Sequence, residues 1–211
     1  MEPVIGLHKG GKFDFRTQGH DDLTLQIVAK SLSQTCRFTG HVDEFYSVAQ
    51  HSVYVSRLLV LRGYPQYAMW GLLHDTPESV YGDHSSPLKS YLQERTNGVY
   101  RQVIKEIDEQ VLTLFEPDLY NTKICHYTDD CREKVKHADY TMLYLERDAL
   151  LAETKYLYPD GACPELHPGG EIRDIDPCFE PWSCRRAEHV FLKEYEDICN
   201  GKHLKFKRRY G

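Results

Sequence analysis

The stretch Gly71 to Lys89, GLLHDTPESVYGDHSSPLK, constrains this chain more than any other. An apolar run, AMWGLLHD, ends on the pair His74-Asp75, and Pro77 follows two residues later. Proline disfavours helical backbone at the residue before it, so the segment must bend just after the pair. A buried imidazole and carboxylate need a partner, and one bound cation serves both. Beyond the bend, Glu78, Asp83, His84, Ser85, Ser86 and Lys89 crowd into a loop that Gly82 and Pro87 keep irregular and exposed. Metal ligands, proton carriers and phosphate-binding groups fall together, which reads as the heart of an active site. A second such dipeptide, His20-Asp21, lies in the polar stretch RTQGHDDLT and reads as a loop and helix start.

The remaining pattern is helical. Leu25, Val28, Ala29 and Leu32 recur at helical spacing, with Asp21 or Asp22 as the expected N-cap. A helix over 47–62 places Val48, His51, Val55, Leu58 and Leu59 on one stripe, which turns His51 toward the core. Pro65 suits the first turn of a third helix carrying Ala68, Met69, Leu72 and Leu73. Further helices are expected over 91–115 and 130–157, the latter capped by Thr128 or Asp129. Residues 1–20 read as an irregular arm and SQTCRFTGHVDEFY as a surface connector. Residues 158–180, rich in Gly and Pro, read as an ordered flap or a flexible excursion; a terminal helix over 181–200 then precedes the basic tail KHLKFKRRYG. The expected class is all-α.

An apolar content of 41% with 27% charged residues is that of a soluble globular protein, and 211 residues suffice for one domain with a C-terminal extension. No apolar run approaches the ~20 residues of a membrane span, and MEPVIGLHKGGKFDF lacks a signal-peptide core, so the expected location is the cytoplasm, or the host cytoplasm for a viral protein. Seven scattered cysteines point to reduced thiols. Cys163, His167, Cys178, Cys184 and His189 lack paired CxxC knuckles, which makes a structural zinc site a weak alternative. A net charge of -6 argues against broad nucleic-acid binding.

Asp139 stands in the middle of an apolar stripe formed by Val135, Ala138, Met142, Leu145 and Ala149. A carboxylate there is costly unless paired. Taken singly, His51 reads as a core histidine satisfied by one hydrogen bond, and Asp139 as a salt-bridge partner or a metal ligand. Taken together, His51, His74, Asp75 and Asp139 make a mixed nitrogen and oxygen site suited to Mn, Fe, Co, Ni or Zn.

With H51, HD at 74 and 75, and D139 all on helices, the chain resembles the HD-domain metal-dependent phosphohydrolases. CRFTGHVDEFYSVAQHSVYVS, LLHDTPESVYGDHSSPLK and KHADYTMLYLERDALL resemble the small deoxynucleotide-hydrolysing branch, which holds bacterial 5'-deoxynucleotidases and phage dATP triphosphohydrolases. The resemblance runs roughly over 23–154, about 60% of the chain. It implies an HD helical bundle over 1–157, with 158–211 (irregular segment, terminal helix and basic tail) packed on the same domain.

By that resemblance His51, His74, Asp75 and Asp139 hold the metal, a divalent Co, Mn, Zn or Fe, with Mg at a second site. Glu78 positions or deprotonates the attacking water, and Asp83 assists it or a neighbouring ligand. Arg37 holds substrate phosphate, Lys89 adds positive charge, and Phe38 stacks on the base. His84 and Ser85, with His41, Asp43, Glu44 and Ser86 nearby, are candidate sugar or phosphate contacts. The physical logic agrees: a phosphate ester is shielded by its own negative charge, so hydrolysis needs a cation and a proton carrier.

The expected activity is a dATP-type triphosphohydrolase that gives deoxynucleoside and triphosphate. The alternative within the class is a 5'-deoxynucleotidase that releases phosphate from monophosphates. The alternative of another class is a nucleotide-binding regulator with a non-catalytic metal site. The expected partners are a small deoxynucleotide and further copies of the chain, without membrane or nucleic acid.

Overall fold

The computed structural model describes residues 2–17, 22–115, 128–151, 175–176 and 179–203. The first element departs from the expected irregular arm: β1 (Val4–Gly6) pairs antiparallel with β2 (Lys12–Asp14), with Ile5 opposite Phe13. Strands of three residues are too short to display an alternating pattern. Phe13 is fully buried and seats the hairpin on the core.

Helix α1 (Leu25–Leu32) buries Val28, Ala29 and Leu32. Its cap is Thr24, whose hydroxyl accepts from the Ile27 amide, and neither of the expected aspartates. Asp22 instead accepts from the Lys12 amide at 3.1 Å and ties the hairpin to the helix start, while His20 and Asp21 lie outside the described residues.

Helix α2 (Val48–Leu61) starts at Ser47, which accepts from the Gln50 amide at 3.2 Å. It is buried nearly all round rather than along one stripe, because it is the central helix. Around it stand α3 (Ala68–Leu73), the long α7 (Asp129–Leu150) and α8 (Cys184–Cys199). Helix α8 also packs on α1 and α3, and it buries Ala187, Phe191 and Ile198. Helix α7 is capped by Thr128, which accepts from the Cys131 amide.

Between α3 and α7 come α4 (Glu78–Tyr81), α5 (Ser86–Arg95) and α6 (Val99–Thr113). The single helix expected over 91–115 is therefore two. Asn97 and Gly98, at φ 49 and 91, adopt the left-handed backbone that ends one helix and starts the next. The loop after Gly82 is also shorter than expected, since Pro87 fits the first turn of α5. The helix expected to reach 157 is described to Leu150. Most of the flap at 158–180 and the tail from 204 onward lie outside the described residues, as do Cys163, His167 and Cys178. No described helix is long and apolar enough to cross a membrane.

Gly71 sets the closeness of α3 to α2. A Cβ at this position would meet Leu59 Cδ1 at 2.5 Å and the Ser56 backbone at 3.2 Å. Gly71→Ala is therefore expected to destabilise the fold by about 1–3 kcal/mol through overpacking. Denaturant unfolding measures it, and an unchanged midpoint would show that the two helices have slack.

Candidate metal centre

Three helices deliver the site. α2 carries His51 on its buried face, the end of α3 delivers His74 and Asp75, and α7 contributes Asp139. The turn at Thr76 and Pro77 then places Glu78 at the start of α4, with its amide bonded to the Asp75 carbonyl. The two imidazoles face each other with centroids 5.4 Å apart.

Both rings are oriented from behind. His74 Nδ1 lies 2.8 Å from the Gly71 carbonyl, and His51 Nδ1 lies 2.6 Å from Glu146 Oε1. A carbonyl and a carboxylate only accept, so each Nδ1 carries a proton and each Nε2 points its lone pair forward. His51 Nε2 is 3.1 Å from Asp139 Oδ1 and 3.6 Å from Asp75 Oδ2. His74 Nε2 is 3.2 Å from Asp75 Oδ2 and 3.8 Å from Asp139 Oδ1. Despite these distances neither buried Nε2 makes a hydrogen bond of acceptable geometry among the described residues. The groups point at a shared centre rather than at one another.

One atom each from His51, His74 and Asp139 lies within 4.8 Å of the others, an arrangement that can hold a metal ion. Asp75, the fourth expected ligand, falls outside that convergent group, although its Oδ2 stands beside both imidazoles. Burial opposes the charged imidazole at His74, but Asp75 and Asp139 outweigh it and hold this histidine well above its ordinary value. Asp75 responds in the opposite sense: burial raises it, and His74 with His51 draws it down to about 2. Asp139 is held well below the usual carboxylate range against its burial by its contacts with both imidazoles.

Glu78 differs. It is buried, and Lys89 Nζ lies 3.4 Å from its Oε1 while Oε2 has no hydrogen-bond partner among the described residues. Burial first, then Asp75 and Asp83, push its carboxyl well above the ordinary range, with Lys89 and Arg37 opposing them. A carboxyl so placed can exchange a proton with a neighbouring water.

Arg37 corrects the expectation of a surface connector, because it is 7% exposed. Its Nε donates to Glu146 Oε2 at 3.0 Å, and Nη1 lies 3.8 Å from Asp75 Oδ2. A guanidinium that lines the cavity can meet an anion there through its terminal nitrogens. Phe38 lies 5.7 Å from the Arg37 guanidinium, and Phe38 and Thr39 both hold φ 55, a strained setting of the kind found where a ligand is clamped.

The cavity in front of the cluster is about 440 Å³. Arg37, Phe38, Asp83, His84, Ser85 and Lys89 all line it, together with Asp75, Glu78 and Asp139. A second cavity of about 600 Å³ shares Asp75, Glu78 and Lys89 with the first and adds Tyr81, Tyr100 and Asp108. His84 of the first cavity and Tyr100 of the second are 2.7 Å apart, Nδ1 to hydroxyl. His41 and Ser86 line the first cavity as well, whereas Asp43 and Glu44, also considered as substrate contacts, line neither and stand instead on a separate cavity with Ala149, Leu150 and Phe179.

Glu146 and Tyr46 were not anticipated. Glu146 lies seven residues after Asp139 on the same face of α7, and that spacing is a signal the sequence does carry. Its partners are 95 to 109 residues away, and that part is invisible without the fold.

No family model matches the chain. It is 33% identical over 196 residues to the uncharacterized protein YfdR of Escherichia coli K12, an alignment that covers 92% of this chain and 94% of that protein. It is also 33% identical over 87 residues to an uncharacterized protein of Rhodobacter capsulatus, which covers 38% of this chain and 44% of that protein.

Proposed function

We propose that this chain, which belongs to the family of Escherichia coli YfdR, is an HD-type metal-dependent phosphohydrolase of deoxynucleotides. One observation carries the reading: two imidazoles with proton-bearing Nδ1 atoms present unbonded Nε2 atoms to Asp75 and Asp139, beside the unpartnered oxygen of buried Glu78. Nitrogen and carboxylate donors of this kind suit a transition metal such as Co, Mn, Zn or Fe. His51, His74, Asp75 and Asp139 hold it, and when bound it supplies positive charge for phosphate oxygens and acidifies water.

The chain's own groups do the rest. Arg37 and Lys89 hold the phosphate in the cavity, and Phe38 offers its ring to the base. Glu78 orients the attacking water and accepts its proton, with Asp83 assisting from the same wall. Glu78 is poised for this because it is a buried carboxyl with one free oxygen. A purely structural metal site requires no such proton carrier at its edge, which favours an enzyme over a nucleotide-binding regulator.

The preferred substrate is a deoxynucleoside triphosphate of the dATP kind. Water attacks the α-phosphorus, the bond from phosphorus to the 5'-oxygen breaks, and that oxygen leaves as the hydroxyl of the deoxynucleoside. Triphosphate is the other product.

The test is to strip the protein with a chelator, restore Co, Mn, Zn, Fe or Mg singly, and chromatograph products from the four dNTPs and the four dNMPs. Deoxynucleoside with triphosphate is the expected result. Deoxynucleoside with phosphate from monophosphates alone would move the assignment to a 5'-deoxynucleotidase. No product with any metal would overturn the enzyme reading.

A further inference from the structure

Glu146 is fully buried, and its carboxylate is saturated from within the protein. Oε1 meets His51 Nδ1 at 2.6 Å and accepts from the Tyr46 hydroxyl at 2.8 Å, while Oε2 accepts from Arg37 Nε at 3.0 Å. One carboxylate thus joins a metal-ligand candidate to the phosphate-holding candidate.

Tyr46 is held in turn by the C-terminal segment. Its ring packs on Phe179 with centroids 5.8 Å apart, and Phe179 also packs on Tyr54 at 5.7 Å. Phe179 holds φ 40, a backbone setting that a bulky residue keeps only where its surroundings impose it. Those surroundings are specific. Gln50, directly before His51, donates to the Glu180 carbonyl at 2.9 Å and accepts from the Trp182 amide at 2.8 Å. The Tyr54 hydroxyl donates to Asp176 Oδ2 at 2.6 Å.

We propose that the segment bearing Asp176 and Phe179 to Trp182 is a positioning element of the metal centre, acting on His51 and Arg37 through Tyr46 and Glu146. An imidazole bonded only at the metal can swing about its Cβ–Cγ bond, and a carboxylate on Nδ1 fixes the ring plane and makes Nε2 more basic. Glu146 serves only while its own oxygens are fixed, which Tyr46 and Arg37 do. Phe179 keeps Tyr46 in place, and Gln50 pins the turn of α2 that carries His51 to the same segment. Tyr46 and Phe179 line neither cavity at the cluster, so they act through Glu146 rather than on a ligand. The proposal rests on the metal-centre reading above.

The experiment is a cobalt titration of the chelator-stripped 211-residue chain, followed by calorimetry and by the visible spectrum of bound cobalt. Glu146→Gln is expected to weaken cobalt binding about 10- to 100-fold, the usual cost of losing a ligand's carboxylate partner. Tyr46→Phe keeps the ring on Phe179 and removes only the hydroxyl; it is expected to cost about tenfold, with a shifted cobalt band and a melting temperature near wild type. Phe179→Leu shifts affinity and band in the same direction.

Wild-type protein that takes up no cobalt would remove the metal-centre reading and this proposal with it. Wild-type protein that binds cobalt, with Tyr46→Phe and Phe179→Leu equal to it in affinity and spectrum, would overturn the positioning role alone.

Discussion

Glu78→Gln is expected to lower kcat by about 10²- to 10⁴-fold while cobalt stoichiometry and nucleotide affinity stay near wild type. Glutamine keeps the shape and polarity of the buried side chain, so α4 and the contact with Lys89 are little disturbed. It cannot accept a proton from water. Glu78 stands on α4, beside the proposed ligands His51, His74, Asp75 and Asp139 rather than among them, so the variant is expected to retain the metal. Steady-state kinetics with metal analysis of the same sample checks both halves. Full turnover by the variant would remove Glu78 as the proton carrier, and joint loss of metal and turnover would make it a ligand.

His74→Ala is expected to remove cobalt binding at micromolar concentrations and to reduce turnover to background. His74 is the better ligand to delete because its side chain is 16% exposed, whereas that of His51 is fully buried. Loss of His51 would also strand Glu146 and Arg37, and breaking such a buried charge network costs about 3–5 kcal/mol of fold stability. The same site predicts a pH dependence.

Asp75 and Asp139 hold the His74 imidazole protonated well above its ordinary range when no cation is bound. Cobalt must displace that proton, so its apparent affinity in the wild type rises with pH, by about tenfold per unit for each proton released. Calorimetry in buffers of different ionisation enthalpy counts the protons. A pH-independent affinity would place the cation away from these imidazoles.

Local chemistry made most of the site legible. Apolar spacing alone turned His51 inward on α2, and Pro77 required the bend that sets Glu78 beside His74 and Asp75. A lone aspartate inside the apolar stripe of α7 identified Asp139. In each case a nearest-neighbour rule applies within one or two helical turns, and those rules survive folding.

What was missed depends on partners far along the chain or on very short elements. Glu146 looks like an ordinary helix-surface acid until Arg37, Tyr46 and His51 arrive from other elements. The hairpin of β1 and β2 has too few residues to show a period. The break between α5 and α6 was readable, because Asn97-Gly98 is a strong turn signal, but apolar residues on both sides mask it. Thr24 displaced Asp22 as the cap of α1 because Asp22 serves the hairpin instead.

The most direct test of the central claim is to run the cobalt-restored enzyme on dATP in heavy-oxygen water and weigh the products. One heavy oxygen is expected in the released triphosphate and none in the deoxynucleoside, because water attacks phosphorus. Heavy oxygen in the deoxynucleoside, or no hydrolysis of any deoxynucleotide by metal-loaded protein, would contradict it.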